Sequence, residues 1–218
     1  MRLDSRTAQR WHALTAAVAV TALVLQLVLI VIGNPVLDEV EPPGLAMRVY
    51  RFFAYFTIQS NLLVAVAAVT LARDPARDGP TWRVVRLAGI VGIAITAVVH
   101  FFLLRPLLDL EGWDWAADKL LHMVVPALAV VGWLAVGPRP RVTSRVVWLA
   151  LLFPLTWAAW TLSFGAFDGW YPYPFLDPDE EGWAAVLVAV VGITGMFLAF
   201  FGAAAWWDRR SPARPEVP

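Results

Sequence analysis

Apolar residues dominate six stretches of the chain, and each stretch is long enough to cross a bilayer as a helix. Polar residues, prolines and glycines fill the intervals between them. A spanning helix suits this pattern because the hydrocarbon core offers the backbone no other hydrogen-bonding partner. The pattern therefore predicts an all-α integral membrane protein, a six-transmembrane-helix bundle with spans at about residues 11–33, 52–72, 83–105, 119–137, 144–167 and 183–207.

The basic residues predict how this bundle is oriented. Thirteen of the 17 Lys and Arg residues fall on one side of the predicted spans, together with both termini. Because Lys and Arg are enriched in cytoplasmic loops, we expect N- and C-termini that are both cytoplasmic. Nothing indicates a second domain, so residues 1–208 are predicted to form one transmembrane domain and residues 209–218 a short disordered cytoplasmic tail.

Composition narrows the function classes further. The chain is 60% hydrophobic, with a mean hydropathy of +0.65 and a formal net charge of zero. No soluble domain of this size is so apolar, which favours a multi-pass protein of the cell membrane. No basic block suggests nucleic acid as a partner. Cysteine is absent, which excludes a disulfide, a thiolate nucleophile and a cysteine-ligated metal.

A polar stripe interrupts the head of the second predicted span. Thr57, Gln59, Ser60 and Asn61 occupy four of five consecutive positions in an otherwise apolar segment. Helical spacing puts Thr57, Ser60 and Asn61 on one face. Polar side chains are costly in hydrocarbon, so this face is expected to meet other polar groups.

Topology predicts which groups those are. The second and fourth spans run in one direction and the third in the other, so Thr57, His100 and His122 should share one depth in the outer leaflet. Asp118 lies four residues before His122 and therefore on the same helical face. The remaining histidine, His12, belongs to the opposite side of the membrane.

A hydroxyl, an imidazole and a carboxylate are the components of a nucleophilic hydrolase site. A threonine hydroxyl needs a base within about 3 Å, and only His100 and His122 could serve. Asp118 could orient His122. Further support for an oxyanion or for substrate position could come from the side chains of Gln59, Asn61, His100 and Arg105.

Less specific interpretations compete with this one. The hydroxyl of Thr57 could bond its own helix, and Ser60 and Asn61 could simply join helices. A non-enzymatic binding or transport protein could use the same stripe to line a polar outer-leaflet cavity. A more distant alternative makes His100 and His122 the axial ligands of a haem.

Three stretches of the chain resemble a known family. Residues 51–57 form an aromatic run that ends in threonine, residues 121–126 place a histidine shortly before a proline, and residues 170–177 read Trp-Tyr-Pro-Tyr-Pro-Phe-Leu-Asp. Together they are similar to bacterial six-span relatives of the androgen-induced and androgen-dependent membrane threonine hydrolases, which act on fatty acid esters of hydroxy fatty acids.

The resemblance implies a function for individual residues. Thr57 takes the place of the nucleophile and His122 that of the base, with a membrane lipid or other fatty-acyl ester as substrate. No metal or redox cofactor is implied. Tyr173 and Phe175, in a loop that prolines hold extended, are expected to lie at the interface, as a lid over the substrate or as the aromatic anchors of a rigid turn.

Overall fold

The structure, a computed structural model, describes residues 4–34, 43–139 and 141–210. All regular structure in these ranges is helical, without a strand. The chain divides into two compact units, residues 1–138 and 139–218. The single domain over 1–208 stays a prediction, and so does the tail over 209–218, of which residues 211–218 lie outside the described ranges.

The prediction of six spans is confirmed. Within the described residues, six helical stretches are long and apolar enough to cross a membrane, as expected for a multi-pass membrane protein. Most begin or end a few residues away from the predicted limits. The stretches are Ser5–Ile32, Phe56–Arg73, Pro80–Leu107, Gly112–Val136, Ser144–Asp168 and Trp183–Arg209.

The first helix, α1 (Ser5–Ile32), begins earlier than predicted because a polar residue caps it. The Asp4 carboxylate accepts a hydrogen bond from the Thr7 backbone N–H at 2.7 Å, and this bond holds the pKa of Asp4 below its usual value. Gly33 ends α1 in the left-handed region, at φ 104°, and its N–H bonds the carbonyl of Ile30.

The second predicted span is two helices rather than one. Helix α2 (Leu45–Ala54) ends at Tyr55, whose extended backbone (φ −64°, ψ 128°) interrupts the helix, and α3 (Phe56–Arg73) begins at the next residue. The prediction that this span starts at residue 52 is therefore wrong. Its consequence matters for the site, because Thr57 becomes the second residue of α3 instead of lying a turn and a half inside a span.

The remaining helices of the first unit are α4 (Pro80–Val99), α5 (Gly112–Lys119) and α6 (Val125–Val131). In this unit α3 packs against α1 and α4, and α4 packs against α6. Close approach depends on small residues, as is usual between helices in lipid. A Cβ on Gly89 of α4 would lie 3.0 Å from the Leu63 Cβ of α3.

Three π-helical turns extend these helices, and each precedes a proline by a few residues. They are His100–Leu104, Leu120–Val124 and Gly132–Val136, and the prolines are 106, 126 and 138. Proline lacks an N–H and its ring clashes with the carbonyl four residues earlier, which disfavours a regular α-helix there, although Pro154 lies inside the α-helix Ser144–Asp168. The wider π turn relieves this conflict, and such turns are frequent at functional sites.

The second unit contains α7 (Ser144–Asp168), α8 (Pro178–Glu181) and α9 (Trp183–Arg209). The aromatic loop between α7 and α8 packs on α7. Gly165 makes room for the Tyr171 ring, and the Tyr173 ring lies 5.9 Å from that of Trp157. At the other end of this unit the buried Asp208 carboxylate accepts hydrogen bonds from the backbone N–H groups of Arg141 and Val142.

Candidate functional site

Thr57 lies in the first turn of α3 and is buried. Ser60 and Asn61 follow on the same face, each with 0% exposure. The predicted polar stripe therefore faces the interior of the first unit. The amino end of α3 adds the positive end of a helix dipole beside the Thr57 hydroxyl, which favours negative charge that develops there.

His122 comes from the π turn that continues α5 and faces Thr57. Its Nε2 lies 3.4 Å from the Thr57 Oγ1. Its other ring nitrogen, Nδ1, lies 2.9 Å from the Asp118 Oδ1 and 3.1 Å from the Asp118 backbone carbonyl oxygen. Two acceptors at Nδ1 favour the tautomer with the proton on that atom, which leaves the Nε2 lone pair directed at the hydroxyl.

The Asp118 carboxylate is the centre of the cluster and is itself buried. Its Oδ1 contacts His122 Nδ1 and also His100 Nε2, the latter at 2.7 Å. Its Oδ2 accepts a hydrogen bond from Lys119 Nζ at 2.8 Å. A buried carboxylate is costly unless it is paired, and here an ammonium group and two imidazoles surround it.

The His100 ring stacks on the His122 ring, with centroids 3.8 Å apart and planes 11° from parallel. This stacking connects the third span to the fourth. It also argues against the haem alternative, because two stacked rings do not present their nitrogens to opposite faces of one iron.

Asn61 connects the helix of the hydroxyl with the helix of the imidazole. Its side-chain amide donates to the Thr57 carbonyl at 2.8 Å and to the Leu121 carbonyl at 3.3 Å. In the π turn, Val125 N–H bonds the carbonyl of Leu120. The same spacing would assign the Leu121 carbonyl to residue 126, which is a proline without an N–H. The Asn61 amide supplies a donor to that carbonyl.

Two of the predicted supporting donors are engaged elsewhere. The Gln59 side-chain amide donates to the Phe53 carbonyl at 2.9 Å. Arg105 is exposed, and its guanidinium lies over the Phe101 ring at 5.4 Å. Neither contact is with Thr57 or the two histidines, so the structure brings Asn61, His100 and Asp118 to the predicted pair but not Gln59 or Arg105.

The residues predicted as a lid belong to the second unit. Tyr173 is buried there, with its ring stacked on Phe175 at 5.3 Å. Phe175 lies in a short 3₁₀ turn, Pro174–Leu176. The loop is therefore ordered by its own aromatic contacts, and its role as a lid stays a prediction.

Lys119 is not among the site residues that the sequence predicts. In the structure it is a member of the cluster, paired with Asp118 and placed over the Trp115 ring at 5.6 Å. Its position next to Asp118 at the head of a span was the available signal, because an ammonium group at such a depth is expected to find an anion.

His12 lies in a different part of the first unit, and its predicted place on the opposite side of the membrane stays a prediction. With Thr15 and Arg86 it lines a small cavity that has room for about one water molecule. The buried Arg86 guanidinium donates to the carbonyls of Gly137 and Pro138 at 2.6 and 2.7 Å. This guanidinium supports the end of the fourth span, and these residues do not pair a nucleophile with a base.

The arrangement of Thr57, His122 and Asp118 is compatible with the roles of nucleophile, base and orienting group, respectively. A hydroxyl contacts an imidazole, and the far nitrogen of that imidazole contacts a carboxylate. Such contacts are often long in a substrate-free site and shorten when substrate binds. The cluster spans elements that lie 65 residues apart in the chain.

Comparison of the chain with protein-family models, with curated proteins and with solved structures found no match. Its membership of the androgen-induced and androgen-dependent hydrolase family accordingly stays a prediction. The chemistry of the site is interpreted from the geometry of its own residues.

Replacing Asn61 with Leu tests whether its amide joins the two helices. We expect the free energy of unfolding to fall by about 1–3 kcal/mol, because a buried carbonyl loses its donor while volume is conserved. Thermal unfolding in detergent measures the change. Ser60→Ala is the matched control: the Ser60 hydroxyl is equally buried but has no hydrogen-bond partner, so its loss should be neutral. Equal effects of both substitutions would contradict the assignment.

Proposed function

We propose that this protein is an intramembrane hydrolase of fatty-acyl esters, with Thr57 as nucleophile and His122 as base. The observation that carries the proposal is the continuous contact from the Thr57 hydroxyl through both nitrogens of His122 to Asp118. Each atom has the role that its position allows: Nε2 accepts a proton and Nδ1–H is held by a carboxylate and a carbonyl.

In the proposed reaction the Thr57 oxygen attacks the ester carbonyl carbon while its proton passes to His122 Nε2. The carbonyl oxygen takes up negative charge, which the amino end of α3 stabilises. When the ester C–O bond breaks, His122 returns the proton to the departing alkoxide. Water, deprotonated by His122, then attacks the acyl-threonine and releases the fatty acid and the Thr57 hydroxyl.

The surroundings of His122 favour an apolar substrate. Its side chain has 13% exposure, whereas those of His100 and Asp118 have 4% and 6%, so the cluster opens on the side of His122. The next residues, Met123 and Val124, are exposed apolar side chains of a membrane-spanning helix. A fatty-acyl chain could therefore lie against this surface with its carbonyl carbon near Thr57.

The resemblance of residues 51–57, 121–126 and 170–177 to the androgen-induced and androgen-dependent hydrolases supports the same substrate class. It also assigns the nucleophile and the base to two residues that contact each other. A non-enzymatic protein that binds or transports a small solute through the polar stripe is the alternative. Covalent labelling separates the two, because only an activated nucleophile forms a bond with an electrophilic probe.

Covalent labelling by a fluorophosphonate probe tests the nucleophile and the base. The purified protein in detergent should react, and Thr57→Ala should abolish the reaction. His122→Ala should slow it by at least about 100-fold, because a positioned base contributes that much or more. The measured quantity is the second-order rate constant of labelling.

Thr57→Ser and Thr156→Ala are the controls for this experiment. Serine retains the hydroxyl and should retain labelling. Thr156 is an exposed threonine of α7 whose hydroxyl bonds its own helix, so its loss should have no effect. Labelling that survives unchanged in both Thr57→Ala and His122→Ala would remove the proposal and favour a binding protein.

Asp118→Ala should slow labelling by a smaller factor than His122→Ala. The effect is partial because the Asp118 backbone carbonyl still accepts from His122 Nδ1–H and still fixes the tautomer. Asp114→Ala, one turn earlier on α5, removes a carboxylate that bonds Asn34 and should leave the rate unchanged. Complete loss of labelling in a folded Asp118→Ala protein would show that the carboxylate does more than orient His122.

The proposal includes an orientation, with the site in the outer leaflet of the cell membrane and both termini in the cytoplasm. The distribution of Lys and Arg supports this orientation. It also leaves the loop between the third and fourth spans outside, about two helical turns before Asp118 and Lys119.

Epitope tags at both termini should resist external protease in intact cells. A tag inserted instead after Leu110, in the loop between the third and fourth spans, should be cleaved and shows that the protease is active. Cleavage of a terminal tag from outside would reverse the orientation and place the site in the inner leaflet.

A further inference from the structure

We propose that His100 Nε2, Asp118 Oδ1 and His122 Nδ1 form a binding site for a divalent first-row transition metal ion such as Zn²⁺. These three atoms lie within 4.8 Å of one another. His100 and His122 each lie in a π turn, and Asp118 lies in α5, the helix that precedes the π turn of His122. The linear order of residues does not reveal this site, because His100 belongs to a different span from the other two ligands.

The contact between His100 and Asp118 is the first argument. The two atoms are 2.7 Å apart, within ion-pair distance, but a proton on His100 Nε2 does not have hydrogen-bond geometry toward the oxygen. His100 has only 3% exposure, so bulk water does not supply that hydrogen bond. In a metal site, by contrast, nitrogen and oxygen ligands point at the ion and not at each other.

The donor set is the second argument. Two neutral imidazoles and one carboxylate are typical ligands of Zn²⁺ and of Fe²⁺ in sites that keep open positions. Ca²⁺ and Mg²⁺ prefer oxygen ligands and are disfavoured by two nitrogens. The set therefore selects a transition metal.

The distances are compatible with such an ion. Bonds of about 2.0–2.2 Å place neighbouring ligand atoms about 3.0–3.4 Å apart at ordinary coordination angles. The observed separations from Asp118 Oδ1 are 2.7 and 2.9 Å and all three ligand atoms lie within 4.8 Å of one another, so binding requires the two stacked imidazoles to turn toward a common point. The His122 side chain, which is partly exposed, has room for this movement.

The ammonium group of Lys119, which contacts the other oxygen of the Asp118 carboxylate, is also compatible with a metal site. Lys119 Nζ bonds Oδ2 at 2.8 Å and leaves Oδ1 for the ion. Hydrogen bonds of this kind orient a ligating carboxylate. Because the ammonium group also offsets the charge of Asp118, we expect an affinity lower than that of a site with an unpaired carboxylate.

Metal binding would change the state of His122. An ion on Nδ1 leaves the proton of the neutral imidazole on Nε2, which then donates to the Thr57 hydroxyl and no longer accepts its proton. On the assumption that the proposed hydrolase mechanism is correct, the metal-loaded protein is an inactive form, and zinc acts as a reversible inhibitor.

Cobalt(II) tests the site directly, because protein-bound Co²⁺ with nitrogen ligands absorbs visible light. Metal-free protein in detergent should develop visible bands that saturate at one equivalent of Co²⁺, and Zn²⁺ should remove them. His100→Gln and Asp118→Ala should each weaken binding by at least about tenfold, the lower end of the effect of losing a supporting group. Bands that persist in both variants, or that never form in the wild type, would overturn the proposal.

His12→Gln is the matched control, since it removes a buried histidine of the same unit that lies outside the cluster, and it should bind Co²⁺ like the wild type. Gel filtration and circular dichroism show whether a variant that loses Co²⁺ binding is still folded. The two ligand variants, His100→Gln and Asp118→Ala, should give the same result. Thr57→Ala should keep the bands although it cannot be labelled.

Zinc inhibition is measured separately, as the labelling rate of wild type with Zn²⁺ and after its removal by chelator. Zn²⁺ should slow labelling of the wild type. It should not slow labelling of His100→Gln, provided that this variant is still labelled at a measurable rate. A wild type that binds Co²⁺ but is never labelled supports the metal site and removes the hydrolase. A wild type that is labelled but never binds Co²⁺ supports the hydrolase and removes the metal site.

Discussion

The Asp118 carboxylate determines the arrangement around it. A negative charge this far from water is strongly unfavourable unless polar or positive groups surround it, and three do: two imidazoles and an ammonium group. Two of these partners come from its own span and one from the preceding span. Satisfying a single charge therefore brings His100 and His122 together, and the stacked rings then fix where Nε2 of His122 can point.

Prolines position the two histidines within their helices. Each histidine lies in a π turn that accommodates a proline a few residues later. The extra residue per turn rotates the preceding side chains and frees carbonyls from the helical ladder. In the fourth span the Leu121 carbonyl receives the Asn61 amide, so the helix irregularity that presents His122 is also the point where α3 attaches.

The hydropathy pattern was sufficient to predict the six spans, because only apolar helices satisfy a backbone in lipid. The i, i+4 spacing placed Asp118 beside His122, and alternating helix direction placed Thr57 and both histidines at one level. The break at Tyr55 could not be predicted, since its residues are compatible with a continuous helix. Nor could the Gln59 and Arg105 contacts, because rotamers depend on neighbours that only the folded chain supplies.

The start of α3 at Phe56 has a consequence for the second half of the proposed ester cleavage, in which a water molecule must reach the acylated residue. Thr57 is one residue from the end of its span, about 1.5 Å along the helix axis. Thr57 is nevertheless buried, with 6% exposure, so in the proposed hydrolysis both the water molecule and the acyl chain must pass the side chains around it. The break at Tyr55 thus places the proposed nucleophile at the end of a helix while neighbouring side chains still enclose it.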